Sequence, residues 1–406
     1  MSGEELAART ILVTGGTGFI GGRLVEKLVV AHRAKVRVLV RQHSDRSRLA
    51  QFPVETVEGD ITDPDAVLRA SGDCSLIFNC AYGTVADPAA QRAVNVEGTR
   101  NVLEAALRNP RIQRVVHLST LSVYGALPDG TLDESSPGTY TGDCYADTKL
   151  DSEKIVLQYA EKHRLPATVL QPTMVYGPRA PSWTVRVLKE LKTRRVILVE
   201  GGSGLCNPVF VDDLVDAMLL AAVREQAIGQ RFLISGPEPV SWLEFYARHE
   251  AMLGRPSTVP LTTQEALALH RKSTRRGFLL VELFRASRRG ESLGRRLAGT
   301  WEAAVLKRLA RVLRLRPILD KLRKRPSPSP AVARDPAPPS DPLPPTDSER
   351  PIQILSPAQL RFYAAKPRVS IRKAQELLGY LPVFDFAAGM AVTEQWARSA
   401  DLLPTA

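Results

Sequence analysis

Thr10-Ile-Leu-Val-Thr-Gly-Gly-Thr-Gly-Phe-Ile-Gly21 is an apolar, β-branched run that ends in glycines and opens into the helical pattern FIGGRLVEKLVV. A buried strand, a glycine turn and a helix, in that order, form a cradle for a diphosphate. Gly15 permits the tight turn, Gly18 lets the backbone approach a pyrophosphate, and Gly21 lets the helix pack closely on the sheet, with Thr17, Phe19 and Ile20 completing the loop. The diphosphate lies on the helix N-terminus, where free N–H groups and the helix dipole favour negative charge.

Outward from this segment the pattern repeats. VRVLVR, VETVEG, LIFNCA, RVVHLS and ATVLQP each read as a buried strand, separated by amphipathic stretches such as DPAAQRAVNVEGTRNVLEAAL and DSEKIVLQYAEKH. Strands alternating with helices predict an α/β fold with a doubly wound parallel sheet of the Rossmann type, its ligand beyond the carboxyl ends of the strands. We expect this dinucleotide-binding domain over 1–175 and a smaller α/β substrate domain built from 176–265 and 352–406, ending in a helix over Phe386–Ser399. Between them lie a basic helical insertion, 266–325, and a linker, 326–351, whose ten prolines leave no room for packed helix or strand.

The chain has 406 residues, 44% hydrophobic, 24% charged, and four scattered cysteines. That excludes a disulfide scaffold and a cysteine-rich zinc site; no metal site is expected, and the cysteine usage suits a reducing compartment. The N-terminus MSGEELAART does not read as a secretory signal, and no apolar run is long enough to span a bilayer, so a cytoplasmic protein is expected. Of the net charge of +12, Arg271–Arg325 alone carries 18 Lys/Arg against four acids, leaving the rest of the chain slightly acidic. Within it, WEAAVLKRLARVLRLR over Trp301–Arg316 has a basic amphipathic character that suits peripheral contact with an anionic membrane at its inner face. A solvated helical insertion is the alternative. Few aromatics and no recognised motif speak against nucleic acid.

The end of the second strand discriminates between dinucleotides. A carboxylate there would bind the ribose 2′-hydroxyl of NAD. Here Val40 is followed by Arg41, with Ser44 and Arg46 close behind, which favours the 2′-phosphate of NADP unless Arg41 is simply a solvated strand-end charge. Asp60 and Ile61, closing the third strand, are placed to meet the adenine, although an Asp there also serves turns.

Tyr145 and Lys149 stand four apart on a predicted helix, hence on one face. Lys149 would hold the nicotinamide ribose while its charge, with that of the oxidised nicotinamide, lowers the pKa of Tyr145, which then acts as base toward a hydroxyl or acid toward a ketone. Upstream, RVVHLSTLSVYG is a buried strand ending in hydroxyls; Thr120 is favoured to bond the reacting substrate oxygen, with Ser119 and Ser122 as rivals. Asn95 either orders the catalytic helix or caps a turn. Asn207, beside a glycine-rich turn, is a substrate-binding candidate, and Asp212 and Asp213 read as helix N-caps.

TGGTGFIG, NCAY, VNVEGTRNVLEAA, STLSVYG, YADTK, VYGPR and FVDDLVDA occur in this order, and with them the chain resembles the extended short-chain dehydrogenase/reductase superfamily, more closely its NAD-dependent epimerase/dehydratase branch. The resemblance covers about 10–240 and the IRKAQELLGY segment. It implies a triad of Thr120, Tyr145 and Lys149, cofactor contacts that include Ala81 and Asn95, a substrate contact at Tyr82, and a homodimer through helices like 88–108 and 146–163. Two departures narrow the chemistry. Dehydratases of the family carry an Asp-Glu pair after the triad threonine, where this chain has Leu121 and Ser122, so water elimination is not expected. Many sugar-nucleotide enzymes place Asn where this chain has Met174; the Pro-Thr-x-Val-Tyr-Gly form also occurs in reductases of hydrophobic substrates, such as the 3β-hydroxysteroid and dihydroflavonol types. The expectation is therefore an NAD(P)-dependent epimerase or oxidoreductase acting on a sugar nucleotide or related glycosyl substrate. The alternatives are an NADP-dependent ketoreductase for a hydrophobic substrate and a dinucleotide sensor without turnover.

Overall fold

The computed structural model describes residues 4–7, 9–83, 87–274 and 350–404. Seven parallel strands form the central sheet: β1 (Thr10–Thr14), β2 (Lys35–Val40), β3 (Glu55–Glu58), β4 (Leu76–Asn79), β5 (Arg114–Leu118), β6 (Ala167–Pro172) and β7 (Arg231–Ile234), in the order β7-β6-β5-β4-β1-β2-β3. Their Val, Ile and Leu content follows from position, since inner strands are covered on both faces. Ile11 and Val13 pack with Leu24 and Leu28 of α1 (Phe19–Val30), while Leu12 between them packs with Val102 and Leu103 of α2 (Gly98–Arg108) on the other face. The register pairs Thr14 with Asn79. The chain winds outward from β1 through β2 to β3 and then crosses back to β4, so the strand order reverses between β1 and β4. That reversal opens the crevice in which doubly wound sheets bind ligands.

The helix bearing Tyr145 and Lys149 is α3 (Cys144–His163). It starts where Asp143 accepts from the Ala146 N–H, and the Asp147 carboxylate draws in the Thr141 and Gly142 amides. The sheet does not stop at residue 175: its seventh strand, β7, comes from the stretch assigned to the substrate domain, because α4 (Val211–Val223) returns across the sheet to close the face next to α1. A second, aromatic core of Tyr176, Phe210, Trp242, Phe245, Tyr246 and Phe386 gathers the substrate part, including α5 (Pro357–Ala364) and the expected last helix, α6 (Phe386–Ser399). Met1–Ala266 with Arg350–Ala406 form one compact unit and Leu267–Glu349 a second. The helix expected over Trp301–Arg316 and the expected linker over 326–351 fall outside the described residues, save for Arg350 and Pro351. Among the described residues no helix is long and apolar enough to cross a membrane.

Candidate active site

Gly15, Thr17, Gly18, Phe19, Ile20, Gly21, Arg41, Asp60, Ile61, Ala81, Tyr82, Thr120, Tyr145 and Lys149 all line one cleft of about 710 Å³ at the carboxyl ends of the strands. The glycine loop fits a diphosphate on its own geometry. Gly15 has φ +68°, and a Cβ there would lie 2.7 Å from backbone atoms of Cys80 and Ala81; one on Gly21 would strike the Gly15 carbonyl. Gly18 caps α1 without any side-chain bond, so the first-turn N–H groups face the cleft unclaimed by a capping side chain.

At the adenosine end Arg41 and Ser44 line the cleft, with no carboxylate closing β2. Arg46 is taken up by Glu58 at 2.9 Å and by the Arg41 carbonyl. Asp60 accepts from the Thr62 amide and hydroxyl, a turn role that coexists with its place in the cleft wall.

At the other end Thr120 and Tyr145 line the same cleft, and the Tyr82 ring stands edge-on to Tyr145 with centroids 6.2 Å apart. Geometry separates Thr120 from Ser119: the Ser119 hydroxyl is spent on Glu153 at 2.9 Å, whereas Thr120 caps the turn Leu121–Tyr124 by accepting from the Ser122 amide and donates to the Ser122 hydroxyl at 3.3 Å, both in the cleft wall. Lys149 is buried and donates to the Leu118 carbonyl. Burial pushes its ammonium down to about 8 and pushes the Tyr145 phenol up, so the protein by itself does not make Tyr145 acidic.

Two expected ligand contacts turn inward instead. Asn95 accepts from the Gly83 amide at 2.8 Å and donates to the Thr148 hydroxyl at 3.0 Å, tying the loop after β4 to α3. Asn207 donates to the Pro367 carbonyl and accepts from the Val369 amide, both at 3.0 Å, and does not line the cleft. Both amides are consumed by buried backbone or side-chain partners that cannot be left unpaired. Nor do Asp212 and Asp213 cap a helix: Asp212 pairs with Arg23 at 2.6 Å, and Asp213 accepts from the Val383 and Phe384 amides.

Sequence reading missed a buried polar chain under the cleft. Thr14 donates to Asn79 at 2.7 Å, Asn79 meets His117 Nδ1 at 3.1 Å, His117 Nε2 meets Ser152 at 3.3 Å, and Ser152 donates to the Lys149 carbonyl. With the Asn79 amide donating, His117 carries its proton on Nε2; burial and Lys149 hold the imidazole neutral. The chain links the end of the glycine-loop strand to the helix of Tyr145 and Lys149. Its trace in the sequence is a polar residue inside an otherwise apolar strand, Asn79 in LIFN and His117 in RVVHL.

The fold and the cleft define a nicotinamide-dependent enzyme of the extended short-chain dehydrogenase/reductase superfamily, and residues 11–235 match the NAD-dependent epimerase/dehydratase family, to which the chain belongs. The chain is 30% identical over 269 residues to a 4-hydroxy-2-methyl-3-oxo-4-farnesyl-3,4-dihydroquinoline-1-oxide ketoreductase of Stigmatella aurantiaca, covering 63% of this chain and 78% of that protein. It is 30% identical over 310 residues to sterol demethylase protein B of Methylococcus capsulatus, covering 70% and 90%. In fold it is similar to a UDP-glucuronic acid 4-epimerase from Bacillus cereus in complex with NAD, with a TM-score of 0.64, 18% identity, and 96% and 99% of the two chains covered.

Proposed function

We propose that this protein is an oxidoreductase that interconverts a ketone and a secondary alcohol on a hydrophobic substrate, with NADP as its preferred cofactor. The observation that carries this reading is the substrate end of the cleft. Beyond Tyr145 its described walls include Tyr82, Leu121, Met174, Pro181, Trp183 and Phe362, with the uncharged Ser122, Thr173 and Ser182 between them, and the described cations of the whole cleft are Arg41, at the adenosine end, and Lys149. Arg186 lies over the Trp183 ring at 5.7 Å and is not among the lining residues. A sugar nucleotide would bring a diphosphate to walls that offer it apolar and aromatic surface, where unpaired charge is costly. A ring system or alkyl chain gains from the same walls. The two curated relatives above, whose names speak of a farnesylated quinoline and of sterols, support this choice.

When bound, the nicotinamide supplies or takes up hydride. Tyr145 gives its phenolic proton to the ketone oxygen, or removes it from the alcohol, as hydride passes at the adjacent carbon. Thr120, in the same cleft wall, holds that oxygen in line. Lys149 places a positive charge beside the site, which with that of the oxidised nicotinamide opposes the effect of burial on Tyr145. Leu121 and Ser122 offer no acid–base pair for elimination.

The wall is tested by truncation. Phe362 is 40% exposed at the mouth, with its ring near-parallel to Trp183 at 6.5 Å. Phe362→Ala is expected to raise KM for a hydrophobic ketone about tenfold with kcat little changed, the loss of part of an aromatic burial. Unchanged KM would remove the support for this reading.

Cofactor preference rests on Arg41, and Ser44 beside it. Arg41→Ala is expected to weaken NADPH binding about tenfold to a hundredfold, the range of a charge-assisted hydrogen bond, while leaving NADH unaffected. Calorimetric titration of both cofactors reads the ratio; equal losses would assign Arg41 no part in the preference.

A further inference from the structure

Glu153 is a buried carboxylate that the reaction outlined above does not use. It is 1% exposed, and it lies one helical turn beyond Lys149 on α3, as Lys149 lies one turn beyond Tyr145. Its oxygens accept from the Ser119 hydroxyl at 2.9 Å, from the Gln171 amide at 3.0 and 2.8 Å, and from Arg231 at 3.3 Å. Those donors come from the end of β5, from β6 and from β7, so the carboxylate is pinned by three neighbouring strands. Every bond is one it accepts, as an ionised carboxylate does.

We propose that Glu153 is a positioning residue of the active site: its fixed negative charge keeps the buried Lys149 ammonium protonated and, through Ser119, holds the strand end that carries Thr120. This rests on the acid–base role of Tyr145 and Lys149 argued above.

The groups around the pair leave Glu153 alone in this part. Lys149 is faced by the Cys80 thiol after β4 and by His117 on β5, and shares the cleft wall with Tyr145 of its own helix. Burial pushes the Cys80 thiol up to about 12, so it is neutral near neutral pH, and His117 is held neutral as well. Glu153 is faced by Arg231, by the Tyr124 phenol, which burial holds protonated, and by the Glu134 carboxylate, which accepts from the Leu233 amide on β7. Glu153 is thus the anion acting on Lys149 among the described residues. Without it the ammonium would lose the anion that offsets its burial, and the positive charge that acts on Tyr145 together with that of the oxidised nicotinamide would weaken.

The test needs no substrate. The pH of Tyr145 ionisation is read from near-ultraviolet phenolate absorbance in the full-length protein saturated with NADP+, taking Tyr145→Phe as the blank. In the wild type the transition should fall below that of an ordinary tyrosine. Glu153→Gln should move it up by about one pH unit, and Glu153→Asp, which keeps the charge, should restore most of the shift. Glu153→Asp, which keeps the carboxylate, carries the test if Glu153→Gln does not fold: its transition should stay well below that of an ordinary tyrosine. A Glu153→Gln protein that loses thermal stability but titrates like wild type, or a Glu153→Asp protein whose transition rises to that of an ordinary tyrosine, would overturn the proposal. A wild-type transition at or above the ordinary tyrosine value would overturn both this proposal and the acid–base role of Tyr145.

Discussion

Tyr145→Phe is expected to lower turnover about a thousandfold, within the range that a positioned acid–base group contributes, while the affinity for cofactor stays unchanged. The Tyr145 ring meets the Tyr82 ring edge-on and lines the cleft with Thr120, and loss of its hydroxyl leaves a ring of the same shape in a site whose walls are otherwise intact. The loss should therefore fall on kcat and kcat/KM equally, the signature of an interaction made in the transition state. Stopped-flow reduction of a ketone substrate, with cofactor binding followed by fluorescence, separates the two. Retention of more than about a tenth of the wild-type rate would move the proton transfer to another group.

Gly15→Ala is expected to abolish cofactor binding. Gly15 sits at φ +68°, and the new Cβ would meet the Ala81 amide nitrogen and the Cys80 carbonyl at 2.7 Å, backbone that cannot swing aside as a side chain can. The loop and the end of β4 must part, and the N–H groups lose the concave arrangement that holds a diphosphate. Gly229 is the control: it has nearly the same φ, +72°, but open space around its Cβ position. Gly229→Ala should cost about 1 kcal/mol of stability and leave cofactor binding intact. Equal binding by both variants would show that close approach at Gly15 is not required.

Much of this architecture was legible in the sequence because it is written in short-range pattern. The glycine loop, the six first strands and the bounds of the last helix all follow from hydrophobic period and turn residues within a few positions. The Tyr145–Lys149 spacing and the hydroxyls after β5 placed three groups in the same cleft for the same reason. What pattern could not show was who occupies a side chain's hydrogen bonds. Asn207 looked free beside its turn, yet its partners are 160 residues away at Pro367 and Val369. The two aspartates near 212 were misread for the same reason, whereas Asn95, by its bond to Thr148, orders the catalytic helix as one of its two readings had it; Glu153 was passed over because a glutamate on a helix is ordinarily solvated. Phe362 belongs to a helix that follows the 267–349 unit, so its place opposite Trp183 depended on a return of the chain that no local signal records.

The most direct measurement follows nicotinamide absorbance while the purified protein meets two panels, with NADPH and with NADH. One contains hydrophobic ketones, such as 3-oxo-steroids and long-chain 3-oxoacyl compounds; the other contains UDP-, dTDP- and GDP-sugars, with products checked by NMR. A stoichiometric loss of NADPH with a hydrophobic ketone, and no new sugar isomer, is the result this account predicts. Epimerisation of a sugar nucleotide without net absorbance change, in a protein that leaves the ketones untouched, would contradict it.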